Sequence, residues 1–238
     1  MPTPVVKGIK GFLGTSLIDY PGKVAAVVFL AGCNLRCPFC HNHALLEDND
    51  ELEDVSVADL VSALERRRKL LEGAVITGGE PTLHPQLPEL LRTLRTTGLA
   101  IKLDTNGMRP EALAGVLRDG LVDDVAVDVK VAPERYPVAL GAPPDAVRRL
   151  EAVVRLLRGA GVAYEYRTTC APGLVGATDI ETIARFIAGA PRYYLQQYQP
   201  VQVPDAEMAA RSPYPPEVLE RFAELAAPHV GAVALRNV

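Results

Sequence analysis

The stretch VAAVVFLAGCNLRCPFCHN, residues 24–42, joins a strand pattern to a cluster of cysteines. Its first seven residues are apolar and rich in β-branched side chains, which predicts a buried β-strand. Directly after it, Cys33, Cys37 and Cys40 follow one another with the spacing C-x3-C-x2-C, and the remaining cysteine, Cys170, is distant in sequence. A structural zinc site normally has four protein ligands. The stretch therefore raises the question of what completes the ligand set of three thiols.

Outward from this first strand, short apolar segments alternate with longer amphipathic ones. Strand patterns follow at 74–79, 99–105, 124–130, 162–169 and 193–199. Helix patterns lie between them, at 56–73, 85–98, 110–119, 144–160 and 178–188. Ser56 and Asp59 are the expected N-terminal cap of the first helix, and Gly73 is its expected end.

This alternation predicts an α/β fold of parallel strands with both sheet faces covered. Six strand–helix units are too few for a closed eightfold barrel, so we expect a partial (βα)6 barrel. A doubly wound open sheet is the alternative, because the two folds share the same periodicity.

The chain of 238 residues is expected to form a single domain over 1–238. Its core covers about 24–200, preceded by a lead-in at 1–23. The tail at 201–238 is proline-rich at its start and is expected to hold one helix, at 216–227, and a final strand-like segment.

Charge and hydropathy exclude several classes of function. The net charge is −4, and the one dense basic run, residues 66–69, lies in a helix pattern, so nucleic-acid binding is not expected. No apolar stretch is long enough to span a bilayer, and the N-terminus lacks the pattern of a signal segment. The cysteine distribution does not suit a disulfide framework. We therefore expect a cytoplasmic protein without a membrane partner.

Polar and glycine residues follow the predicted strands at their C-terminal ends. The segments are TGGEP (77–81), DTNG (104–107), DVK (128–130), RTTC (167–170) and QQYQ (196–199). The C-terminal ends of parallel strands in such folds share one edge, where ligands bind. These segments, together with the cysteine loop, predict one large site.

The segment 124–130 makes the energetic argument most clearly. Its valines alternate with a second face that carries Asp128 and Lys130. Unpaired charges inside a sheet are costly, so these residues indicate a functional site. A structural Asp–Lys pair, or a solvated second face, is the alternative.

Three interpretations of the cysteine loop remain open from its residues alone. A zinc ion could recruit His41 or His43 as a fourth ligand. The cysteines could be inert core residues, although their polar neighbours do not suit a core. An iron–sulfur cluster could be held by three thiolates, with one iron left open for another ligand.

The motif C-x3-C-x-aromatic-C, with Phe39 at the aromatic position, resembles the signature of the radical SAM superfamily, as does the downstream GGEP. CPFCHN, DTNG, D-x-K and Arg167 resemble glycyl-radical-enzyme activases. The segments SLIDYPGK and YYLQQYQP are most similar to the activating proteins of anaerobic ribonucleoside-triphosphate reductase. The resemblance covers residues 8–200.

The resemblance implies a role for each matching residue. Cys33, Cys37 and Cys40 would ligate a [4Fe–4S] cluster whose fourth iron binds S-adenosylmethionine. Gly78, Gly79 and Glu80 would hold the methionyl amino group, and Phe39 would lie by the adenine. Asp104, Thr105, Asp128 and Lys130 would line the methionyl and ribose parts, some through a bound monovalent cation. Arg167 would face the carboxylate or the incoming substrate loop.

The resemblance also implies a reaction and partners. Reductive cleavage of S-adenosylmethionine would give a 5′-deoxyadenosyl radical, which generates a glycyl radical on a partner enzyme. Anaerobic ribonucleotide reductase would be that partner, and flavodoxin or ferredoxin the electron donor. The alternatives are an activase of pyruvate formate-lyase type, a radical SAM enzyme acting on a small molecule such as a deazapurine precursor, and a zinc-stabilised binding module.

Two features depart from the activase pattern. Formate-lyase-type activases commonly have a histidine near the end of the sixth strand, where this chain has Gln196, Gln197 and Gln199. A second four-thiolate cluster is excluded because only Cys170 is left over, and we expect that residue to be small, buried and structural.

Overall fold

The computed structural model describes residues 6–48 and 51–238. Contacts between residues divide the chain into two compact units. The first unit takes in the described residues of 1–34, 44–105 and 111–125, and the second takes in 35–43, 106–110 and 126–238. The single domain over 1–238 stays a prediction. In the described ranges, no helix is long and apolar enough to cross a membrane.

The first unit contains one antiparallel strand pair, and parallel strands are added to the second strand of that pair. Strand β1 runs antiparallel to β2, and β2, β3 and β4 are parallel neighbours. The strands are β1 (Ile9–Ser16), β2 (Ala25–Leu30), β3 (Gly73–Gly78), β4 (Ala100–Thr105) and the start of β5 (Asp124–Asp128), and the helices are α1 (Val57–Arg66), α2 (Leu87–Arg95) and α3 (Pro110–Arg118).

The second unit carries the end of β5 and three further strands. Strands β6, β7 and β8 are parallel neighbours, and the Val129 amide donates to the carbonyl of Arg167 within β6. The strands are β6 (Ala163–Cys170), β7 (Tyr193–Gln197) and β8 (Val233–Arg236), and the helices are α4 (Tyr136–Leu140), α5 (Ala146–Gly159), α6 (Ala177–Phe186), α7 (Ala206–Ala209) and α8 (Pro216–Ala226).

These elements confirm the predicted α/β class with parallel strands. Strand β2 is buried over almost its whole length, as its apolar sequence predicts. The alternate valines of the β5 segment, from Val125 to Val131, are also buried. The N-terminal cap of α1 is confirmed, because the Ser56 hydroxyl accepts from the Asp59 amide at 3.0 Å.

Several predicted boundaries are wrong. Helix α1 ends at Arg66, and Gly73 begins β3 instead of ending the helix, because the Glu72 and Gly73 amides donate to the Val24 carbonyl beside β2. The β5 strand ends at Asp128, so Lys130 lies in the following loop. Strand β6 extends to Cys170.

The flanking segments contribute strands that the prediction had assigned to a lead-in and a tail. Strand β1 was missed because Gly11 and Gly14 weaken its strand pattern, whereas backbone pairing with β2 stabilises it. A Cβ added to Gly11 would lie 3.3 Å from the ring of Phe29, its partner in β2. In the tail, β8 adds to the sheet beside β7, and α8 confirms the predicted helix.

Candidate active site

Two glycines at the end of β3 bring the cysteine loop close to that strand. A Cβ added to Gly78, whose φ is +127°, would lie 2.2 Å from the Leu30 carbonyl oxygen. A Cβ on Gly79 would lie 2.2 Å from the Gly32 carbonyl oxygen. The Gly79 amide donates to Leu30 and the Glu80 amide to Gly32, at 2.8 and 2.7 Å. The glycines therefore fix the backbone that leads directly into Cys33.

The substitution Gly79→Ala is expected to destabilise the protein by about 2 kcal/mol and to lower its iron content, because the new methyl group collides with backbone that cannot move aside cheaply. Chemical denaturation and iron analysis measure both effects. Gly159→Ala is the matched control: nothing lies within 4 Å of its Cβ position, at the end of α5, and it should change stability by less than about 0.5 kcal/mol. Equal behaviour of the two variants would contradict the role assigned to Gly79.

Glu80 is buried and its orientation is fixed by hydroxyl groups. Its Oε1 atom accepts from the Thr82 amide at 3.0 Å and from the Thr82 hydroxyl. The Thr105 hydroxyl, at the end of β4, donates to the same oxygen at 2.7 Å. Two of the predicted site residues, Glu80 and Thr105, are thus brought together in the first unit.

Asp104 lies one residue before Thr105 and is also buried. Its Oδ1 atom lies 3.3 Å from the Nζ atom of Lys102, which is fully buried in the same strand. Sequence reasoning missed Lys102, although a lysine two residues from an aspartate in a buried strand is a readable signal, because strand residues two apart share a face.

The cysteine loop divides between the two units. In the first unit, the Cys33 amide donates to the Leu46 carbonyl at 3.0 Å. In the second unit, the Arg36 amide donates to the Leu140 carbonyl at the end of α4, and the Cys40 amide donates to the Cys37 carbonyl. Phe39 and Cys37, two residues apart, are both buried. None of the four cysteines forms a disulfide.

His41 anchors the end of this loop. Its Nε2 atom lies 2.8 Å from the Gln199 carbonyl oxygen, which can only accept, so Nε2 donates the proton. This bond joins the loop to the residues after β7. His41 therefore has a structural contact in the second unit that a zinc-ligand interpretation did not anticipate.

Asp128, Lys130 and Arg167 come together at the end of β5. The Asp128 Oδ1 atom accepts from Arg167 Nε at 2.8 Å, and its Oδ2 atom lies 3.3 Å from Lys130 Nζ. Burial alone would raise the pKa of Asp128, but the positive charges of Arg167 and Lys130 and their hydrogen bonds outweigh it and hold that pKa well below its usual range. The carboxylate is therefore ionised and oriented, and the structural Asp–Lys pair considered from the sequence is present within a larger group.

The backbone around Asp128 is braced by buried hydroxyl groups that sequence reasoning did not single out. The Tyr136 hydroxyl on α4 accepts from the Lys130 amide at 2.9 Å and donates to the Asp128 carbonyl at 3.3 Å. The Thr168 hydroxyl donates to the Val129 carbonyl, and Tyr193 donates to Thr168. Burial raises the pKa of Tyr136 and Tyr193, so both phenols stay protonated.

Tyr136→Phe is expected to cost about 1–3 kcal/mol of unfolding free energy, because it leaves a buried amide without its acceptor. Urea denaturation measures the cost. The matched control is Tyr166→Phe: among the described residues the buried Tyr166 hydroxyl has no hydrogen-bond partner, so its removal should be neutral or stabilising. A larger loss in the Tyr166 variant would contradict this bracing role.

Cys170, Gln196 and Gln197 lie at the ends of their predicted strands, whereas β7 ends at Gln197 and leaves Gln199 in the following segment. Cys170 is fully buried at the end of β6, and burial raises the pKa of its thiol to about 12, which agrees with the expected structural role. The Gln197 side chain donates to the Tyr214 carbonyl at 2.6 Å and accepts from the Tyr198 amide. Gln197 therefore ties β7 to the tail segment.

A family comparison identifies the chain. The model of the radical SAM superfamily matches residues 27–187. The chain belongs to the radical SAM superfamily. The match includes all three cysteines of the loop, GGEP, DTNG, D-x-K and Arg167.

This radical SAM protein is similar to known proteins over different shares of its length. It is 31% identical over 235 residues to a Methanocaldococcus jannaschii protein provisionally named a glycyl-radical enzyme activating enzyme, which covers 97% of this chain and 96% of the relative. It is 43% identical over 95 residues to the 7-carboxy-7-deazaguanine synthase of Hyperthermus butylicus, covering 38% of each protein.

The fold is shared with SuiB of Streptococcus suis, whose crystal structure was solved with its precursor peptide SuiA. The TM-score is 0.68 at 17% identity, over 89% of this chain. The radical SAM chain spans 48% of SuiB. At this level of identity the likeness concerns the fold alone.

The chemistry of the donor set suits the cluster that this superfamily implies. In the described part of the chain, no group of three or more His, Cys, Asp or Glu side chains could hold a single metal ion. In an iron–sulfur cluster each cysteine thiolate binds a different iron. Three cysteines within eight residues, none of them in a disulfide, fit that requirement.

Proposed function

We propose that this radical SAM protein generates a glycyl radical on a partner enzyme. The observation that carries the proposal is the similarity to the Methanocaldococcus jannaschii activating enzyme, which extends over nearly the full length of both chains. The likeness to 7-carboxy-7-deazaguanine synthases covers less of this chain: 38% for the enzyme of Hyperthermus butylicus and 64% for that of Methanopyrus kandleri. A whole-chain likeness includes the segments that contact a substrate, whereas a partial one can reflect the shared cofactor site alone.

In this proposal, Cys33, Cys37 and Cys40 hold a [4Fe–4S] cluster with one iron open to S-adenosylmethionine. A cluster bound there would supply the electron for reductive cleavage of S-adenosylmethionine to methionine and a 5′-deoxyadenosyl radical. The chain's own residues bind and orient S-adenosylmethionine so that electron transfer occurs between positioned groups.

The binding roles follow from the chemistry of each side chain. Glu80, whose Oε1 atom is fixed by threonine hydroxyls, would accept from the methionyl ammonium group beside Gly78 and Gly79. Asp128, kept ionised by its two cations, would accept from ribose hydroxyls, with Lys130 nearby. Arg167 would face the methionyl carboxylate or the substrate loop, and the buried Phe39 would lie by the adenine. Asp104 and Thr105 would complete the methionyl contacts.

Anaerobic ribonucleotide reductase is the partner that we propose, on the basis of the segments SLIDYPGK and YYLQQYQP. A glycine suits the partner's target position, because its Cα hydrogen is accessible and its backbone can enter a narrow site. Flavodoxin or ferredoxin would supply electrons to this oxidoreductase. We place the reaction in the cytoplasm, where cysteines that form no disulfide stay reduced.

A small-molecule reaction on a deazapurine precursor is the second candidate, supported by the similarity to the Hyperthermus butylicus enzyme. One anaerobic experiment separates the two. The protein is reconstituted with iron and sulfide, reduced with dithionite and mixed with S-adenosylmethionine and purified anaerobic ribonucleotide reductase.

The proposal expects 5′-deoxyadenosine together with a glycyl radical signal in electron paramagnetic resonance of the reductase. Cleavage with no radical on the reductase, or on a pyruvate formate-lyase tested in parallel, would contradict the activase function. Turnover of a deazapurine precursor in place of the protein partners would establish the second candidate. The absence of any cleavage would refute both.

A further inference from the structure

Lys102 is a fully buried cation at the centre of the first unit. Its side chain is 0% exposed, and it lies in β4 opposite Val75 of β3. Its Nζ atom donates to the Asp19 carbonyl at 2.7 Å, from the segment between β1 and β2. On the other side it lies 3.3 Å from Asp104 Oδ1. A carbonyl oxygen and a carboxylate oxygen thus surround one ammonium group.

The Lys102 ammonium group provides a positive charge next to the buried carboxyl group of Asp104. The Asp104 side chain is only 8% exposed, and a negative charge buried to that extent is costly without a nearby positive charge. Lys102 supplies that charge from inside the fold. Oxygen donors of this kind also suit a monovalent cation, but here the ammonium group already faces them.

Thr105, the residue after Asp104, also contacts a side chain of this chain. The Thr105 hydroxyl donates a hydrogen bond to Glu80 Oε1 at 2.7 Å. The side chain of Thr105 is therefore oriented by a contact within the chain. Asp104 and Thr105 are two of the four residues for which contacts through a monovalent cation were expected, and here they contact Lys102 and Glu80. At Asp104 Oδ1 the Lys102 ammonium group already lies where a free cation would have to bind.

We propose that the Lys102 ammonium group is the built-in cation of the Asp104 site, and that it makes the site independent of free sodium or potassium. Lys102 is a positioning residue: its ammonium group, 3.3 Å from Asp104 Oδ1, supplies the counter-charge and fixes the side chain proposed to contact the methionyl part of S-adenosylmethionine. The role of Asp104 in binding rests on the proposed function, whereas the cation independence of the folded chain does not.

The test compares wild type with Lys102→Met, which keeps an apolar stem of similar length and removes the charge. Thermal unfolding and S-adenosylmethionine cleavage are measured in potassium, sodium or choline chloride at equal ionic strength. Wild type should have the same melting temperature in all three salts within about 1 °C, and the same cleavage rate. The Lys102→Met variant should melt on the order of 10 °C lower in choline and regain a few degrees in potassium or sodium.

Lys10→Met is the matched control. Lys10 is also almost buried and pairs with Asp48 and Asp54, each at 2.9 Å, but those carboxylates are 58% and 41% exposed. This variant should lose stability equally in the three salts, because solvated carboxylates need no specific counter-ion. A cation effect of the same size in both variants would contradict a specific site at Asp104.

The double variant Lys102→Met/Asp104→Asn keeps the proposal testable if the single variant fails to fold. With both charges removed it should fold, melt above the single variant and show no response to potassium. Two results would overturn the proposal: a wild-type protein that is stabilised by potassium and inactive in choline, or a folded Lys102→Met variant that is as insensitive to cations as wild type. Melting temperatures decide the cation question even if cleavage is never observed.

Discussion

Replacing Cys37 by alanine is expected to remove the iron–sulfur chromophore and to abolish cleavage of S-adenosylmethionine. Loss of supporting residues around a metal typically costs about 10–100-fold in affinity, and loss of a direct ligand should exceed that range. Iron and sulfide analysis after anaerobic reconstitution, with chromatography of 5′-deoxyadenosine, measures both outcomes. Cys33→Ala and Cys40→Ala should behave in the same way.

Cys170→Ala is the matched control for this prediction. Cys170 is fully buried, and burial raises the pKa of its thiol to about 12, so it stays a neutral thiol at the end of β6. The variant should retain iron, sulfide and cleavage while losing some stability to a small cavity. Loss of the cluster in Cys170→Ala, or its retention in Cys37→Ala, would contradict the assigned ligand set.

Asp128→Asn is expected to lower the unfolding free energy by about 3 kcal/mol and to weaken S-adenosylmethionine binding by about 10–100-fold. The stability loss arises because the Arg167 side chain, 9% exposed, is left without its counter-charge. The value is the low end for a buried pair, because Asp128 itself is 26% exposed. Urea denaturation and calorimetry measure the two effects.

The stability effect of Asp128 should also depend on pH with a definite sign. Its pKa in the folded state is depressed, so its contribution is complete above the unfolded value of about 3.9 and is lost as the pH falls below it. Wild type and Asp128→Asn should therefore converge in stability in strong acid. Asp119→Asn is the control: its partner Arg92 is 56% exposed, and the change should cost less than about 1 kcal/mol. A comparable cost for both variants would contradict the buried-pair argument.

Much of the site follows from local sequence. The alternation of valines with Asp128 and Lys130 predicts a strand with one charged end, and in the structure Asp128 pairs with both Lys130 and Arg167. Clustered cysteines after an apolar strand predict a metal-binding loop without knowledge of the fold. These signals are readable because strand periodicity and ligand spacing are short-range properties of the chain.

The missing parts depend on contacts between residues that are distant in sequence. Lys102 reaches the carbonyl of Asp19, which lies 83 residues earlier, and no local pattern encodes that contact. Tyr136 braces Asp128 from a helix of five residues, too short to give a periodic signal. Strand β1 has a weak strand pattern, and backbone pairing with β2 determines it.

Gly78 and Gly79 also combine a signal that is readable in the sequence with a cause that lies in a distant segment. GGEP resembles a cofactor-binding motif, and its glycines were expected to admit a ligand. In the structure their Cβ positions are filled by the backbone of Leu30 and Gly32, so they first position the cysteine loop. A sequence motif identifies the residues that matter, but the physical reason for each requires the neighbouring strand.

The most direct test of the central claim follows hydrogen from the partner protein to the cofactor product. Anaerobic ribonucleotide reductase is produced with glycine deuterated at Cα and incubated with the reduced protein and S-adenosylmethionine, and 5′-deoxyadenosine is analysed by mass spectrometry. A glycyl-radical activase breaks the Cα–deuterium bond and forms a carbon–deuterium bond at C5′, so the account predicts product heavier by one deuterium, in step with the radical signal. Unlabelled 5′-deoxyadenosine formed at the full rate, with no radical on the reductase, would contradict it.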